Sequence, residues 1–142
     1  MKSAGIDIII IEGKAEQPSY LFVDDEKSLT DLGKMILERL GYEVETRTSS
    51  LEALELFRTT PGYFDLVITD MTMPHLTGDR LSAELLRIRP DLPIILCTGF
   101  SHKITERKAK AMGIKAFIMK PIIMIDLANS VRQVLDAVKS QS

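Results

Sequence analysis

The chain has 142 residues, enough for one domain with a single core, and its hydrophobic (45%) and charged (27%) fractions exclude a globally disordered protein. With a formal net charge of −2 and no long basic stretch, we expect no nucleic-acid binding by this chain. No apolar stretch approaches the length of a membrane span, so we expect no membrane contact, and the single cysteine, Cys97, excludes an internal disulfide and is compatible with the cytoplasmic location that we expect.

The first eighteen residues differ in composition from the rest. Four isoleucines at 8–11 form a β-prone run, and residues 12–18 are polar and typical of a linker. We therefore interpret residues 1–18 as an N-terminal extension or linker and residues 19–140 as the domain. The extension could be the tail of an upstream domain with its tether, an extra edge strand or a cloning remnant, and the sequence leaves these alternatives open.

From residue 19 onward, apolar runs alternate with amphipathic stretches five times. The first strand is predicted at residues 20–23, and the helix that follows has leucine and isoleucine at helical spacing until Gly41 ends it. A short second strand at residues 42–46 comes next. Ser49 and Glu52 form a capping-box pattern, which predicts the start of the second helix.

The second half of the chain repeats this alternation. The third strand is predicted at residues 65–69, and the third helix stops before Pro90. The fourth strand follows at residues 93–97. Residues 102–112 are helical but carry few apolar side chains, which predicts a loosely packed, exposed fourth helix.

A fifth strand at residues 115–119 and a strongly amphipathic fifth helix at residues 124–138 complete the pattern. Strands that alternate with helices, and that are themselves solidly apolar, indicate a parallel sheet covered on both faces. Because crossovers between parallel strands are right-handed, the predicted fold class is α/β with a doubly wound open sheet.

Polar side chains stand where four of the predicted strands end, namely Asp24 with Asp25, Asp70, Thr98 and Lys120. Ligands of doubly wound sheets bind beyond these carboxyl ends. Two like charges about 4 Å apart repel by roughly 4 kcal/mol at an effective dielectric constant of about 20, so clustered carboxylates need a proton or a divalent cation such as Mg²⁺. A phosphoryl group beside them would meet the metal, an ammonium and a hydroxyl, and Asp70, central among the strand ends, is the predicted nucleophile.

Each of these signals also has a structural explanation. Adjacent aspartates often cap a helix, here the one that starts near Glu26, and most threonines at strand ends are structural. The joint placement of all the groups, each at the end of its own strand, favours a phosphoryl-accepting site.

Residues 19–139 resemble the response-regulator receiver domain of two-component signalling. The motifs that carry the resemblance are FVDDE at 22–26, DLVITDMTMP at 65–74, LCTG at 96–99 and FIMKP at 117–121. The resemblance implies a flavodoxin-like, doubly wound parallel sheet of five strands, in the order 2-1-3-4-5, with five helices.

The resemblance also implies roles for individual residues. Asp70 would accept a phosphoryl group from the phosphohistidine of a histidine kinase or histidine phosphotransfer domain. Asp25 and Asp70 would ligate Mg²⁺ directly, Asp24 would act through a metal-bound water, and Thr72 would offer its backbone carbonyl. Such a domain is not an enzyme for outside substrates; it catalyses only its own phosphorylation and dephosphorylation.

Further residues would sense the phosphoryl group. The resemblance implies that Lys120 pairs with its oxygens and that Thr98 hydrogen-bonds one of them. Phe117 falls where the family places its switch aromatic, so the surface of the fourth helix, fifth strand and fifth helix would change on phosphorylation. That surface is also where the family usually forms homodimers.

The residues argue against three rival functions. A nucleotide or flavin binder needs a glycine-rich loop after the first strand, where this chain is acidic. A Mg²⁺-dependent phosphatase would place a second acid where Thr72 stands, and a pure interaction module would not need the full set of polar groups. Whether the chain acts alone or belongs to a longer hybrid sensor histidine kinase is open, and we favour the hybrid kinase.

Overall fold

The computed structural model of the protein describes residues 18–99, 106–120 and 124–141. Apart from Pro18, the predicted N-terminal extension lies outside the described residues. The strands are β1 (Ser19–Val23), β2 (Glu43–Arg47), β3 (Leu66–Asp70), β4 (Ile94–Thr98) and β5 (Ala116–Met119). The helices are α1 (Lys27–Arg39), α2 (Ser50–Thr59), α3 (Gly78–Ile88), α4 (Glu106–Ala111) and α5 (Met124–Gln141).

The five strands form one parallel sheet in the order β2-β1-β3-β4-β5, which confirms the predicted fold class and strand order. Strands β3 and β4 each end one residue later than predicted. Asp70 still pairs with Cys97, and Thr98 with Met119, because the backbone ladder continues beyond the apolar run from which the strands were predicted. Both polar residues are therefore held by the sheet itself.

Each face of the sheet carries its own hydrophobic core. Helices α1 and α5 cover one face, and helices α2, α3 and α4 cover the other. Alternate residues of a strand point to opposite faces, so neighbouring residues of β1 contribute to different cores. The first core includes Tyr20, Phe22, Ile36, Leu37, Ile68, Ile95, Leu127 and Val131. The second includes Leu21, Val23, Phe57, Val67, Leu81, Leu85, Leu96 and Ala109.

The ends of the helices follow the sequence signals closely. Ser49 precedes α2, and its hydroxyl accepts a hydrogen bond from the backbone N–H of Glu52, as the capping pattern predicts. After α1, Gly41 has φ +95°, and the N–H groups of Gly41 and Tyr42 donate to the carbonyls of Glu38 and Leu37. This hydrogen-bond pattern closes a helix, and it requires a left-handed residue where glycine stands.

The fourth helix is thinly packed, as predicted. Among the described side chains of α4, Ala109 is buried, and those of its neighbours are exposed. No helix within the described ranges combines the length and the apolar character that crossing a membrane requires.

Strand β2 lies at the edge of the sheet and departs from the predicted apolar composition, because Val44 is its one fully buried residue. Glu43 and Arg47 exchange hydrogen bonds with the segment around β1, so the carbonyls of Val44 and Thr46 face away from the sheet. Lys34 Nζ donates to the Val44 carbonyl at 3.1 Å, and the Arg47 guanidinium donates to the Thr46 carbonyl at 2.7 Å. Both outward carbonyls of this edge are thus capped by cationic side chains.

Candidate functional site

The polar residues predicted from the strand ends lie together at the carboxyl ends of the strands. Asp24 follows β1, Asp70 ends β3, Thr98 ends β4 and Lys120 follows β5. Because all five strands run parallel, their carboxyl ends meet at the same edge, and residues far apart in sequence become neighbours.

Three carboxylates form the acidic part of the site. One oxygen each of Asp24, Asp25 and Asp70 lies within 4.8 Å of the others. Asp24 is 1% exposed and Asp70 is 6% exposed, whereas Asp25 is exposed to solvent. The cluster therefore has two buried carboxylates and one that opens it to solution.

Lys120 is the cation of the site. Its Nζ lies 2.9 Å from Asp70 Oδ1 and 3.1 Å from Asp24 Oδ2, so one ammonium bridges the two buried carboxylates. Its side chain is 22% exposed. The backbone N–H of Lys120 donates to the carbonyl of Thr98 at 2.7 Å, which extends the pairing of β4 with β5 by one residue and fixes where the side chain starts.

Asp24 is also held by the backbone. Its Oδ1 accepts a hydrogen bond from the N–H of Glu26 at 2.9 Å, and no side-chain hydrogen bond caps α1, which begins at Lys27. The structure therefore does not show the adjacent aspartates as a side-chain cap for this helix. The bond instead turns the loop after β1 and leaves Asp24 Oδ2 directed at Lys120.

The charges of the cluster do not balance. Three carboxylates and one ammonium, all ionised, sum to −2. Burial raises the pKa of Asp24, and the nearby Asp70 raises it further, against the opposing bonds to Glu26 and Lys120. Burial likewise raises the pKa of Asp70, and Asp25 adds to it while Lys120 opposes it. Burial alone would lower the pKa of Lys120, but its bonds to Asp70 and Asp24 outweigh burial and raise it.

This donor set fits a hard divalent cation. Carboxylate oxygens are the ligands that Mg²⁺ prefers, and a double positive charge would cancel the excess of −2. The exposed Asp25 leaves an entrance from solvent.

Three other predicted residues lie on, or just after, strands β3, β4 and β5. Thr98 is 2% exposed, and its hydroxyl donates to the carbonyl of Gly99 at 3.4 Å, a long bond that leaves the hydroxyl weakly engaged. Thr72 is exposed, two residues after Asp70. Phe117 is half-buried on β5 and packs against the core beneath α2, α3 and α4.

One residue that contacts this site, Gly78, was not identified from the sequence. Gly78, the first residue of α3, lies against the backbone of Asp70. The sequence signal for this residue was a glycine in the first turn of a helix, although glycine favours helix formation less than alanine does. Only the distance between α3 and β3 reveals why glycine stands there.

Comparison with known proteins assigns the domain. Residues 20–132 match the family model described as the response regulator receiver domain. The chain belongs to this family. Receiver domains act in two-component signal transduction, where they interact with histidine kinases and phosphotransfer proteins.

Two bacterial sensor proteins contain a segment similar to this receiver domain. The chain is 32% identical over 118 residues to the sensor kinase CckA of Brucella abortus (strain 2308). The aligned segment covers 83% of this chain and 12% of that protein. The chain is 31% identical over 124 residues to the sensor protein EvgS of Escherichia coli (strain K12), covering 82% of this chain and 10% of that protein. The chain thus spans only a small part of the length of either relative.

Solved receiver structures share the fold over nearly their whole length. A receiver domain protein from Clostridium thermocellum superposes with a TM-score of 0.83 and 31% identity, covering 88% of this chain and 99% of that one. The response regulator TrrA from Thermotoga maritima, solved in complex with Mg²⁺ and BeF, has a TM-score of 0.74 and 31% identity over 83% of this chain and 99% of that one.

The raised carboxyl pKa values predict how stability depends on pH when no metal is bound. The folded receiver holds protons on Asp24 and Asp70 more tightly than the unfolded chain does. Their contribution to stability is therefore present below the ordinary carboxyl pKa of about 3.9 and is lost as pH rises through the folded pKa. In EDTA, Asp70→Asn should match wild type near pH 4 and exceed its free energy of unfolding near pH 7, since the amide carries no buried charge.

Urea unfolding in EDTA at a series of pH values measures this difference. The matched control is Asp91→Asn, which removes an exposed carboxylate that pairs with Arg89 at 3.3 Å before β4. Because that pairing needs the ionised carboxylate, this variant should be slightly less stable than wild type near pH 7, the opposite sign to Asp70→Asn. An Asp70→Asn variant that is less stable than wild type at neutral pH would contradict the unfavourable burial of this charge.

Proposed function

We propose that this receiver domain accepts a phosphoryl group on Asp70 from the phosphohistidine of a histidine kinase or a histidine phosphotransfer domain. The observation that carries the proposal is the position of Lys120, whose ammonium lies 2.9 Å from the Asp70 carboxylate and also contacts Asp24. A carboxylate that is buried, central and paired with a flexible cation is suited to nucleophilic attack on phosphorus.

The reaction exchanges one bond for another. A carboxylate oxygen of Asp70 attacks the phosphorus, the P–N bond to the donor imidazole breaks, and the imidazole leaves with the bonding electron pair and takes up a proton. The product is an acyl phosphate on Asp70. Lys120, already beside this carboxylate, can turn its N–H donors from the carboxylate oxygens to the phosphoryl oxygens, where negative charge gathers.

We propose that Asp25 and Asp70 hold Mg²⁺ directly, that Asp24 acts through a metal-bound water and that Thr72 offers its backbone carbonyl. When bound, the metal supplies a Lewis acid that neutralises charge on the phosphoryl oxygens. The three clustered carboxylates and their excess charge of −2 support this set. Loss of the phosphoryl group to water would be catalysed by the same residues.

We further propose that Thr98 and Phe117 transmit the modification. The Thr98 hydroxyl is buried beside the site and bonded only weakly, so it is available to a phosphoryl oxygen. Phe117 pairs with Leu96 in the ladder between β4 and β5, and Leu96 is two residues before Thr98. Because Leu96 and Thr98 point to the same face of β4, we expect movement of Thr98 to alter the space beside the Phe117 ring. The surface formed by α4, β5 and α5 would then shift between two packings and serve output partners or a homodimer.

The cellular setting follows from the donor. A kinase makes its phosphohistidine from ATP, so we propose that the receiver works in the cytoplasm, either alone or within a hybrid histidine kinase. Neither nucleic acid nor membrane is a proposed partner of this chain.

Phosphorylation of Asp70 is tested by mass. Treatment with a small acyl phosphate plus Mg²⁺ should add one phosphoryl mass to the intact protein, and EDTA should prevent it. Asp70→Asn should gain nothing because the amide is not a nucleophile, whereas Asp91→Asn should react like wild type. Uptake by Asp70→Asn at the wild-type rate would place the acceptor elsewhere, and no uptake by wild type would favour an interaction module without phosphorylation.

Metal binding is tested by stability. A ligand that binds only the folded state stabilises it by about 2.7 kcal/mol when its concentration is 100 times the dissociation constant. Mg²⁺ should therefore raise the urea midpoint of wild type, and Asp25→Asn should lose most of this increase. Glu26→Gln, which removes an adjacent exposed carboxylate outside the cluster, should keep it. An equal effect of Mg²⁺ on Asp25→Asn and Glu26→Gln would remove Asp25 from the ligand set.

The switch is tested by separating phosphorylation from its readout. Thr98→Ala should still gain a phosphoryl mass, but beryllofluoride with Mg²⁺ should no longer move the backbone amide signals of Phe117 in NMR spectra. Thr98→Ser keeps the hydroxyl and should preserve this response. Identical responses from the alanine and serine variants would show that the Thr98 hydroxyl does not carry the signal.

A further inference from the structure

Gly78 leaves no room for a side chain between α3 and β3. A Cβ atom placed on Gly78 would lie 2.2 Å from the carbonyl oxygen of Asp70 and 2.9 Å from its carbonyl carbon. It would also lie 2.8 Å from Leu96 Cδ1. Cβ atoms essentially never come within 3.0 Å of such neighbours, so only the hydrogen of glycine fits against the Asp70 backbone.

The Asp70 backbone cannot easily give way to such an atom. The Thr69 hydroxyl donates to the same Asp70 carbonyl oxygen at 3.0 Å, and the N–H of Met71 donates to the Cys97 carbonyl at 2.8 Å. Asp70 itself lies in the ladder between β3 and β4. The neighbour that a side chain at position 78 would strike is therefore fixed backbone rather than the end of a flexible side chain.

Gly78 is itself held in place from both directions. Its N–H donates to the Met71 carbonyl at 2.7 Å, and its own carbonyl accepts a hydrogen bond from the buried Ser82 hydroxyl at 2.7 Å. The first turn of α3 is thus attached to the peptide that follows Asp70. Helix α3 cannot shift away from β3 without breaking the hydrogen bond from the Gly78 N–H to the Met71 carbonyl.

From these contacts we propose that Gly78 is a positioning residue for Asp70. By letting the first turn of α3 rest on the Asp70 carbonyl, it fixes the peptide from which the Asp70 carboxylate projects towards Lys120, 2.9 Å away. This inference rests on the proposed function, because the position of this carboxylate sets the geometry of phosphoryl transfer. A side chain at position 78 would force α3 to lift or the Asp70 peptide to rotate, and either movement displaces the carboxylate.

The test compares two variants that both weaken α3. Gly78→Ala inserts the obstructing methyl group, and Leu85→Ala removes a fully buried side chain about two turns further along the same helix. Both should lower the urea midpoint. At a temperature where both are folded by circular dichroism, Gly78→Ala should react with a small acyl phosphate about 10-fold or more slowly than wild type, since small misplacements of reacting groups carry large rate penalties. Leu85→Ala should stay within about 2-fold, because its reacting groups remain in place.

A crystal structure of Gly78→Ala without metal gives a readout that does not depend on phosphorylation. We expect the distance from Asp70 Oδ1 to Lys120 Nζ to lengthen, or the bond from the residue 78 N–H to the Met71 carbonyl to open. Wild-type distances at both places would overturn the inference, as would a wild-type rate for the folded variant. If wild type takes up no phosphoryl group, the proposed function fails, and the crystal structure alone decides the positioning role.

A second variant serves if Gly78→Ala does not fold. Thr69→Val keeps the shape of a buried side chain but removes the hydroxyl that holds the Asp70 carbonyl from the other side. It should slow phosphorylation in the same direction, by about 3-fold or more, because it releases the same peptide. An unchanged rate and an unchanged Asp70–Lys120 distance in this variant would overturn the inference.

Discussion

The site depends on one ammonium placed between two buried carboxylates. Asp24 and Asp70 come from different strands, burial raises the pKa of both, and Lys120 between them opposes that rise. Lys120 reaches them because its backbone N–H continues the pairing of β4 with β5. A slip of one residue in that pairing would turn its side chain to the other face of the sheet, so the register of the fold and the chemistry of the site are a single constraint.

The ammonium does not complete the charge balance, and this imbalance is useful. A cluster that keeps an excess of −2 is less stable than a neutral one, but that excess is the charge that the proposed Mg²⁺ would neutralise. Local rules of stability are commonly broken where function requires it. Here the unbalanced charge lies at the carboxyl ends of the strands, while the two cores on the faces of the sheet are packed with apolar side chains.

Much of this arrangement follows from the sequence. The alternation of strand and helix patterns predicted the five strands, although β2 is not apolar. The rule that parallel strands end together predicted that Asp24, Asp70, Thr98 and Lys120 would be neighbours. The sequence could not decide whether Asp24 caps α1, since that depends on the path of the loop, which directs its Oδ1 to the N–H of Glu26. It also gave no reason for Gly78, because the clash that excludes a side chain there arises only when α3 is laid on β3. Both features depend on contacts between elements, which the sequence pattern of a single element does not record.

The open side of β2 has a consequence for how the protein behaves in concentrated solution. An edge strand with free carbonyls is a template on which the strand of another molecule can add, and extended self-association can begin there. With Lys34 and Arg47 covering the carbonyls of Val44 and Thr46, an incoming backbone would have to displace two cations to find its acceptors. Cations therefore cover the outward carbonyls of β2, and edge-to-edge aggregation through this strand is disfavoured.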